Sequence, residues 1–231
     1  VIDNSTITNN FWGVLLNSSN NSIITSNNVS DNLFLGIALL NSSYNMVYNN
    51  TVSNNTATGG VEGGENTGIA IAQSHHNVIK FNKVSKHNQS GISVDIGPTP
   101  NVNPINNTVD NNTVWNNTIG ILLLGLPGEA GINNITSNIV YNNTKDGIKL
   151  EATHYNTVYN NTANNNSETG IWLSSSSNNN LTSNTANNNS QSGVMSGIYL
   201  DSSSNNNLTS NNVSNNNYGI QFFSSNSNNI T

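Results

Sequence analysis

The sequence predicts an all-β fold, a single-stranded parallel solenoid of about nine coils of 22–23 residues with inserts at its corners. The first observation behind this prediction is a Gly-Ile-x-Leu phrase that recurs along the whole chain. Successive copies are 23, 32, 23, 29, 27, 23, 27 and 22 residues apart. A short period that is lengthened only by occasional inserts is typical of a solenoid. The copies begin at Gly13, Gly36, Gly68, Gly91, Gly120, Gly147, Gly170, Gly197 and Gly219.

The second observation is an aliphatic residue that opens each unit and delimits nine complete units. Because this repeat runs through the whole of 1–231, we predict a single domain. The opening residues are Ile2, Ile24, Val47, Ile79, Val109, Ile135, Val158, Leu181, Leu208 and Ile230.

Each unit predicts short strands joined by turns. Apolar residues alternate within Gly-Ile-x-Leu, as in a strand with one buried face. The other segments are short and rich in asparagine, which disfavours helix interiors. Stacked coils would place Val158 over Ile135 and Ile171 over Ile148. A rod of nine such coils would be roughly 43 Å long.

One asparagine position recurs in nearly every unit and predicts a ladder at a turn. Asparagine tolerates left-handed backbone conformations and bonds nearby main chain. Stacked amides can also bond one another along the axis. We interpret these residues as structural. They are Asn27, Asn50, Asn82, Asn112, Asn138, Asn161, Asn184 and Asn211.

Composition excludes several classes of protein. Charged residues make up 7% of the chain, and the formal net charge is −6. Nucleic acid is bound through clustered Lys and Arg, and this chain has no arginine. No apolar run approaches the ~20 residues that cross a bilayer. We therefore predict no nucleic-acid partner and no membrane span.

The repeated Asn-rich units and the Gly-Ile-x-Leu phrase resemble the right-handed parallel β-helix repeat family. The resemblance covers nearly the whole chain and is to the NosD-like and the carbohydrate-binding or sugar-hydrolase types of repeat. Such repeats abound in archaeal cell-surface proteins. The resemblance implies right-handed winding, but the fold carries enzymes, metal-delivery proteins and envelope components alike.

No catalytic residue is predicted. Asp95, Glu151 and Asp201 share the position after the Gly-Ile-x-Leu strand, but each is two coils from the next. The backbones would be ~10 Å apart, at or beyond the ~5–9.5 Å range of glycosidase carboxyl pairs. The resemblance implies clustered aspartates and basic residues for the enzymes of this fold, and such clusters are missing from the sequence. We expect no enzyme.

No metal site and no cofactor are predicted either. His75 and His154 fall at equivalent turns three coils apart, ~14 Å, too far to bind one metal. The chain has no cysteine and two methionines, so soft copper ligands are scarce. The adjacent His75 and His76 would at most hold a metal adventitiously.

Two kinds of surface contact are expected. Trp172 and Tyr199 occupy the outward x position on adjacent coils, where they could stack on a sugar or on another subunit. About twenty Asn-x-Ser/Thr sequons offer attachment points for glycans. The candidates for N-glycosylation are Asn4, Asn28, Asn88, Asn142, Asn160 and Asn207. Inserts at 56–66 and 97–104 fall at corners, and their role stays open.

The two termini hold the same phase of the repeat. We expect Ile230-Thr231 of one copy to lead into Val1-Ile2 of the next, which would give a head-to-tail homopolymer. The alternative is a window of a longer repeat protein. The favoured function is an extracellular or cell-surface structural subunit of a filament, sheath or envelope layer. A carbohydrate-binding module or a NosD-like metal-delivery protein is the alternative.

Overall fold

A computed structural model of the chain describes residues 1–56, 66–97, 102–189 and 196–231. These ranges contain 28 strands, numbered β1 to β28 in chain order. Within the same ranges there is no helix, and so none long and apolar enough to cross a membrane. The strands form three parallel sheets along a solenoid of about nine turns, which confirms the all-β prediction.

The first sheet contains the strand that opens each coil. In spatial order its strands are β1 (Ile2–Asp3), β4 (Ile23–Thr25), β7 (Met46–Tyr48), β10 (Val78–Lys80), β13 (Thr108–Asp110), β16 (Asn134–Thr136), β19 (Thr157–Tyr159), β22 (Asn180–Thr182), β25 (Asn207–Thr209) and β28 (Asn229–Ile230).

The second sheet contains the next strand of each coil. Its strands are β2 (Thr6–Thr8), β5 (Asn28–Ser30), β8 (Thr51–Ser53), β11 (Lys83–Ser85), β14 (Thr113–Trp115), β17 (Ile139–Tyr141), β20 (Thr162–Asn164), β23 (Thr185–Asn187) and β26 (Asn212–Ser214).

The third sheet is built from the Gly-Ile-x-Leu phrases. Its strands are β3 (Val14–Asn17), β6 (Ile37–Leu40), β9 (Ile69–Ala72), β12 (Ser90–Asp95), β15 (Ile119–Leu124), β18 (Ile148–Glu151), β21 (Ile171–Ser174), β24 (Ser196–Asp201) and β27 (Tyr218–Phe223).

The interior is one apolar core made of aliphatic columns. Val158 pairs with Ile135, and Ile171 pairs with Ile148, as the repeat predicted. All four side chains are fully buried. A single coil could not bury its own apolar side chains, so each coil depends on its neighbours.

The predicted corner inserts fall partly outside the described residues, which omit 57–65, 98–101 and 190–195. The segment around 125–131 is described. There Ala130 bridges in parallel to His154 of the next coil, so this insert rejoins the stack before the next strand begins.

Three asparagines per coil, five residues apart, form three ladders where the sequence predicted one. Asn156, Asn161 and Asn166 show the pattern, and all three are buried. The residue before each has a positive φ of 56–60°. The left-handed conformation therefore belongs to the preceding residue, and the ladder asparagine turns its amide into the corner.

The first ladder, between the first and second sheets, is the one that the sequence predicted. The second and third ladders lie at the other corners. The second contains Asn10, Asn32, Asn55, Asn117, Asn143, Asn166, Asn189 and Asn216. The third contains Asn45, Asn77, Asn107, Asn133, Asn156, Asn179, Asn206 and Asn228.

Asn112 and Asn138 show how a ladder amide bonds to two neighbouring coils. The backbone N and side-chain Nδ2 of Asn112 donate to Asn138 Oδ1 at 2.9 and 3.0 Å. Asn138 Nδ2 in turn donates to Val109 O and Asn161 Oδ1, at 2.9 Å each. Buried polar groups need such partners, so the ladders satisfy corner backbone that no sheet covers.

The glycine of each Gly-Ile-x-Leu phrase is required by close approach. A Cβ on Gly147 would lie 2.6 Å from Gly170 O and 2.7 Å from Asn166 Nδ2. Any larger residue would push the third sheet away from the second ladder, which explains why the phrase opens on glycine.

We expect Asn138→Ala to lower the free energy of unfolding by about 3 kcal/mol or more, because it leaves several buried donors and acceptors unpaired. Chemical denaturation of both proteins measures this change. Asn134→Ala, at an exposed strand position, is the matched control and should stay within about 0.5 kcal/mol of the parent. Equal effects of the two substitutions would contradict a structural role of the ladder.

Candidate functional site

An outward-facing column on the third sheet combines a cation with two aromatic rings. Lys149, Trp172, Tyr199 and Gln221 pair in register on β18, β21, β24 and β27. We call these four residues the Lys149 column. Lys149 Nζ lies 4.2 Å from the centroid of the Trp172 ring. The structure brings Trp172 and Tyr199 together on adjacent coils, with ring centroids 6.0 Å apart and an interplanar angle of 17°.

Both faces of the Trp172 indole are used within this column, because Lys149 lies on the preceding coil and Tyr199 on the following one. A sugar could therefore reach the edge of this ring more readily than its face. The indole Nε1 is buried and has no hydrogen-bond partner in the described part of the chain. A buried unpaired donor costs about 1–3 kcal/mol. A ligand oxygen could pair with this nitrogen only after a neighbouring side chain moves, because the nitrogen is closed to solvent.

Carboxylates flank the Lys149 column without forming a close pair. Lys149 Nζ contacts Glu151 Oε2 at 2.7 Å. Glu151 and Asp201 share one outward position with Ser174 between them, so their backbones are ~10 Å apart. Asp95 is buried and accepts hydrogen bonds within its own coil. The expectation that the chain is not an enzyme stays a prediction.

Two groups in or near the Lys149 column have shifted pKa values. Burial raises the pKa of Asp146 to about 6, although the Thr169 backbone N–H, which donates to its Oδ1 at 3.2 Å, acts in the opposite direction. Burial also raises the pKa of Tyr199, and the nearby charge of Asp201 adds to that effect. The Asp146 carboxyl therefore keeps its proton to a higher pH than an ordinary aspartate does.

The histidines do not converge. His75 and His76 are adjacent, and their Nδ1 atoms are 2.9 Å apart. His154 lies on a different coil, where its Nδ1 accepts from Ser177 N at 3.0 Å. The described residues contain no group of three or more His, Cys, Asp or Glu side chains arranged to hold a metal ion. The absence of a metal site stays a prediction.

His87 occupies an asparagine position of the second ladder, which the sequence analysis missed. Its Nδ1 lies 3.0 Å from Asn117 Oδ1, and its Nε2 lies 3.2 Å from Asn55 Nδ2. An amide oxygen only accepts and an amide nitrogen only donates, so Nδ1 carries the proton. The signal was present in the spacing, since His87 follows Asn82 by five residues as Asn117 follows Asn112.

The environment of His87 opposes protonation. Burial lowers its pKa to about 4, and the hydrogen bond to Asn117 acts in the opposite direction. Protonation would place a second donor, on Nε2, against the Asn55 amide nitrogen. His87 also borders a recess of about 500 Å³ whose other lining residues are Asn54, Thr56, Lys86, Asn88, Asn116, Asn117, Thr118 and Thr144.

The predicted glycosylation positions differ in exposure. Asn207 is half-buried, and its Nδ2 donates to Asn180 Oδ1 at 3.2 Å. The recurrent Asn-Asn-Thr sequon also forms the corner of the coil. In Asn160-Asn161-Thr162, the first residue has the left-handed conformation, the second belongs to the ladder, and the third begins the next strand. Glycosylation therefore stays a prediction. The exposed candidates are Asn4, Asn28, Asn88, Asn142 and Asn160.

The predicted subunit-contact residues lie on the first and last coils. Ile2 pairs with Ile24, and Ile230 pairs with Leu208, both within the first sheet. Val1 and Thr231 flank these residues. The head-to-tail contact needs a second copy of the chain and stays a prediction.

Comparison with known families gives one match. The family described as "Periplasmic copper-binding protein (NosD)" matches residues 1–124, 59–192 and 102–231, stretches that overlap and together span the chain. A search of curated proteins finds no match.

Solved structures give further likenesses. The A-module of the Azotobacter vinelandii mannuronan C-5 epimerase AlgE6 is 14% identical with a TM-score of 0.76, over 90% of this chain and 58% of that chain. A double mutant of the periplasmic alginate epimerase AlgG is 19% identical with a TM-score of 0.65, over 100% and 50%. The Dettilon tailspike protein gp208 is 23% identical with a TM-score of 0.70, over 91% and 42%. This chain spans about half the length of these structures, and the likeness shows the fold alone.

We expect His87 to make the fold less stable as the pH falls from 6.5 towards about 4. Over this range His87 is protonated in the unfolded chain but neutral in the folded chain, so the free energy of unfolding rises with pH. The full effect is on the order of 3 kcal/mol. Asp146 has the opposite slope, because its pKa is raised on folding. The measured quantity is therefore the difference between the parent and His87→Asn.

His87→Asn restores the ladder amide and should remove this acid sensitivity in denaturation curves recorded across the same pH range. A His87→Asn profile that matches the parent would rule out a buried neutral imidazole.

Proposed function

This chain belongs to the NosD family of parallel β-helix repeat proteins, and we propose that it serves as a rigid structural scaffold outside the cytoplasm. The family's description and the name of the AlgG structure both include the word periplasmic. They support an extracytoplasmic location. The finer role, a subunit of a cell-surface filament, sheath or envelope layer, is the one that the repeat favours.

The observation that carries this proposal is the use of polar side chains along the axis. In the coil of Asn156, Asn161 and Asn166, each ladder Oδ1 accepts bonds from the preceding coil, and each Nδ2 donates to the following coil. Side chains committed to neighbouring coils are not available for catalysis or binding. Such a chain resists bending and slippage of register, as a scaffold must.

Outward aromatic rings are used in the same way. Trp115 stacks on Tyr141 with centroids 6.1 Å apart and an interplanar angle of 5°. Phe11 stacks on Phe34 with centroids 5.5 Å apart and an angle of 10°. Each pair joins successive coils, as Trp172 and Tyr199 do. These rings add to cohesion along the rod.

Negative-stain electron microscopy of the native protein, with immunogold labelling of the cells that make it, tests the scaffold. We expect labelled surface assemblies, and filaments with an axial repeat of roughly 43 Å if copies add head to tail. Monodisperse short rods would contradict the homopolymer. Label confined to the cytoplasm would contradict the scaffold altogether.

Carbohydrate binding is the second candidate, favoured by the outward-facing Lys149 column and by the unpaired Nε1 of Trp172, which the shift of a neighbouring side chain would open to a sugar oxygen. The AlgE6 and AlgG structures are named for epimerases of mannuronan and alginate. On this chain, Lys149, Glu151 and Gln221 would offer hydrogen bonds to sugar hydroxyls around the indole edge. The Trp172 ring would orient the sugar through its edge, because Lys149 and Tyr199 cover its two faces.

Affinity electrophoresis against neutral polysaccharides and alginate tests this second candidate. We expect Trp172→Phe, which keeps the stacked ring but removes the N–H, to weaken binding about tenfold, the effect of one buried hydrogen bond. Trp115→Phe is the matched control and should bind as the parent does. Parent-like binding by Trp172→Phe, or no retardation of the parent by any polysaccharide, would exclude the Lys149 column as a sugar site.

A further inference from the structure

The outer face of the first sheet is apolar along three consecutive strands, β4, β7 and β10. In each strand the middle residue points into the core and its two neighbours point outwards. Among the outward residues, Ile23, Met46 and Tyr48 are 37–41% exposed, and Val78 is half-buried. Phe81, at the corner after β10, is 43% exposed and meets Tyr48 edge-on with ring centroids 5.5 Å apart. We call these five residues the first-sheet patch.

The coil itself does not require this patch. The position that Met46 and Val78 share carries Thr108, Asn134 and Thr157 on the next three strands. Those strands bury their middle residues completely as well. The apolar outward side chains therefore have a use other than forming the coil, and a contiguous exposed apolar patch is typical of an interaction site.

Bulky residues also occupy corners at the edges of this face. Most left-handed corner residues of the described chain are asparagine or serine. Tyr44, Phe81, Ile132 and Tyr155 nevertheless adopt this conformation, with φ between 49° and 60°, and are 43–58% exposed. A bulky or β-branched residue in the left-handed region is strained. The sequence thus keeps large apolar side chains beside the first sheet although the backbone disfavours them.

The face carries little uncompensated charge. Lys80 is the one charged residue on β4, β7 and β10. Its Nζ contacts Asp110 Oδ2 at 2.9 Å and lies 4.8 Å from the centroid of the Phe81 ring. Covering the face would therefore bury a paired cation and not a lone one. The net charge of −6 opposes docking on an anionic lipid surface, whereas a neutral face is where two copies of an acidic chain can meet.

A second copy fits this face in spacing and in area. Rows of outward side chains repeat about every 4.8 Å along both rods, and sheets pack face to face about 10 Å apart. The face is about 43 Å long and about 17 Å wide, so two paired copies would each bury up to about 700 Å². The total of about 1,400 Å² falls within the range of specific interfaces.

We propose that two copies of this chain pair side by side through the outer face of the first sheet, with their rods parallel. The first-sheet patch lies towards one end of the sheet, so only parallel rods bring patch onto patch and also cover the rest of the face. A two-fold axis along the rods places Met46 over Tyr48 of the second copy. It also places Thr108 over Asp110 of the second copy, whose carboxylate can accept from the threonine hydroxyl.

This pairing goes beyond head-to-tail addition. Contacts between coil ends can lengthen a filament, but they cannot join one filament to another. A sheath or layer needs a lateral contact, and the first-sheet patch supplies one. The pairing does not depend on the head-to-tail contact, because the two use different surfaces.

Sedimentation equilibrium and small-angle X-ray scattering of the full chain test the pairing. We expect a reversible dimer with a Kd on the order of 10 μM, as for a modest interface. The scattering should give a particle as long as the monomer, roughly 43 Å, but thicker. Head-to-tail addition would instead double the length, so the two contacts are distinguishable.

Met46→Thr and Val78→Thr should each weaken the dimer about tenfold, the effect of losing most of one buried apolar side chain. Thr108 occupies the equivalent position on β13, so both replacements suit the strand, and circular dichroism confirms that each variant is folded. Ile139→Thr is the matched control. Ile139 is 50% exposed on the second sheet and pairs in register with Thr162, so this variant should dimerise as the parent does.

A parent that stays monomeric up to about 1 mM, or a dimer twice as long as the monomer, would overturn the side-by-side pairing. Equal weakening by Met46→Thr and Ile139→Thr would overturn the assignment to this face. A monomeric parent that binds phosphatidylcholine vesicles would assign the face to a lipid surface instead. None of these results bears on the extracytoplasmic scaffold, which the labelling of cells tests separately.

Discussion

The asparagine ladder is the interaction on which the rest of this structure depends. At Asn138, for example, the amide oxygen accepts two hydrogen bonds from Asn112 on one neighbouring coil, and the amide nitrogen donates to Asn161 on the other. Each bond contributes only about 0.5–1.5 kcal/mol net, but an unmade one costs more. Because only 33% of the residues are hydrophobic, the apolar core is narrow. The ladders supply the hydrogen bonds that hold neighbouring coils together at the corners.

The same constraint fixes other parts of the sequence. A ladder amide leaves no room for a Cβ on Gly147, so the third sheet opens on glycine. Because the coils stack in register, residues at equivalent positions lie one above another. Trp115 therefore stacks on Tyr141, and Trp172 stacks on Tyr199. The abundance of Asn-x-Ser/Thr sequons follows from the corner as well, since Asn160-Asn161-Thr162 forms the turn between two strands.

Function is best sought where this regularity is broken. His87 replaces a ladder amide with a titratable ring, and His75 and His76 replace polar corner residues with two imidazoles. The Lys149 column leaves one indole donor unpaired. These departures are local, and each lies on a backbone that the ladders hold rigid. A scaffold with a few altered corners can acquire a site without changing its fold.

The sequence alone determined the coil period, the sheet built from Gly-Ile-x-Leu, the columns such as Ile171 over Ile148, and the first ladder, because each leaves a periodic trace along the chain. Only the tertiary structure decided the second and third ladders, the place of His87 within one of them, and the approach of His75 to His76. These depend on where a left-handed residue turns the next side chain, and residues as different as Tyr155 and Asn160 adopt that conformation. The direction in which these side chains point is set by backbone angles and by contacts between coils, and no single residue type indicates it in the sequence.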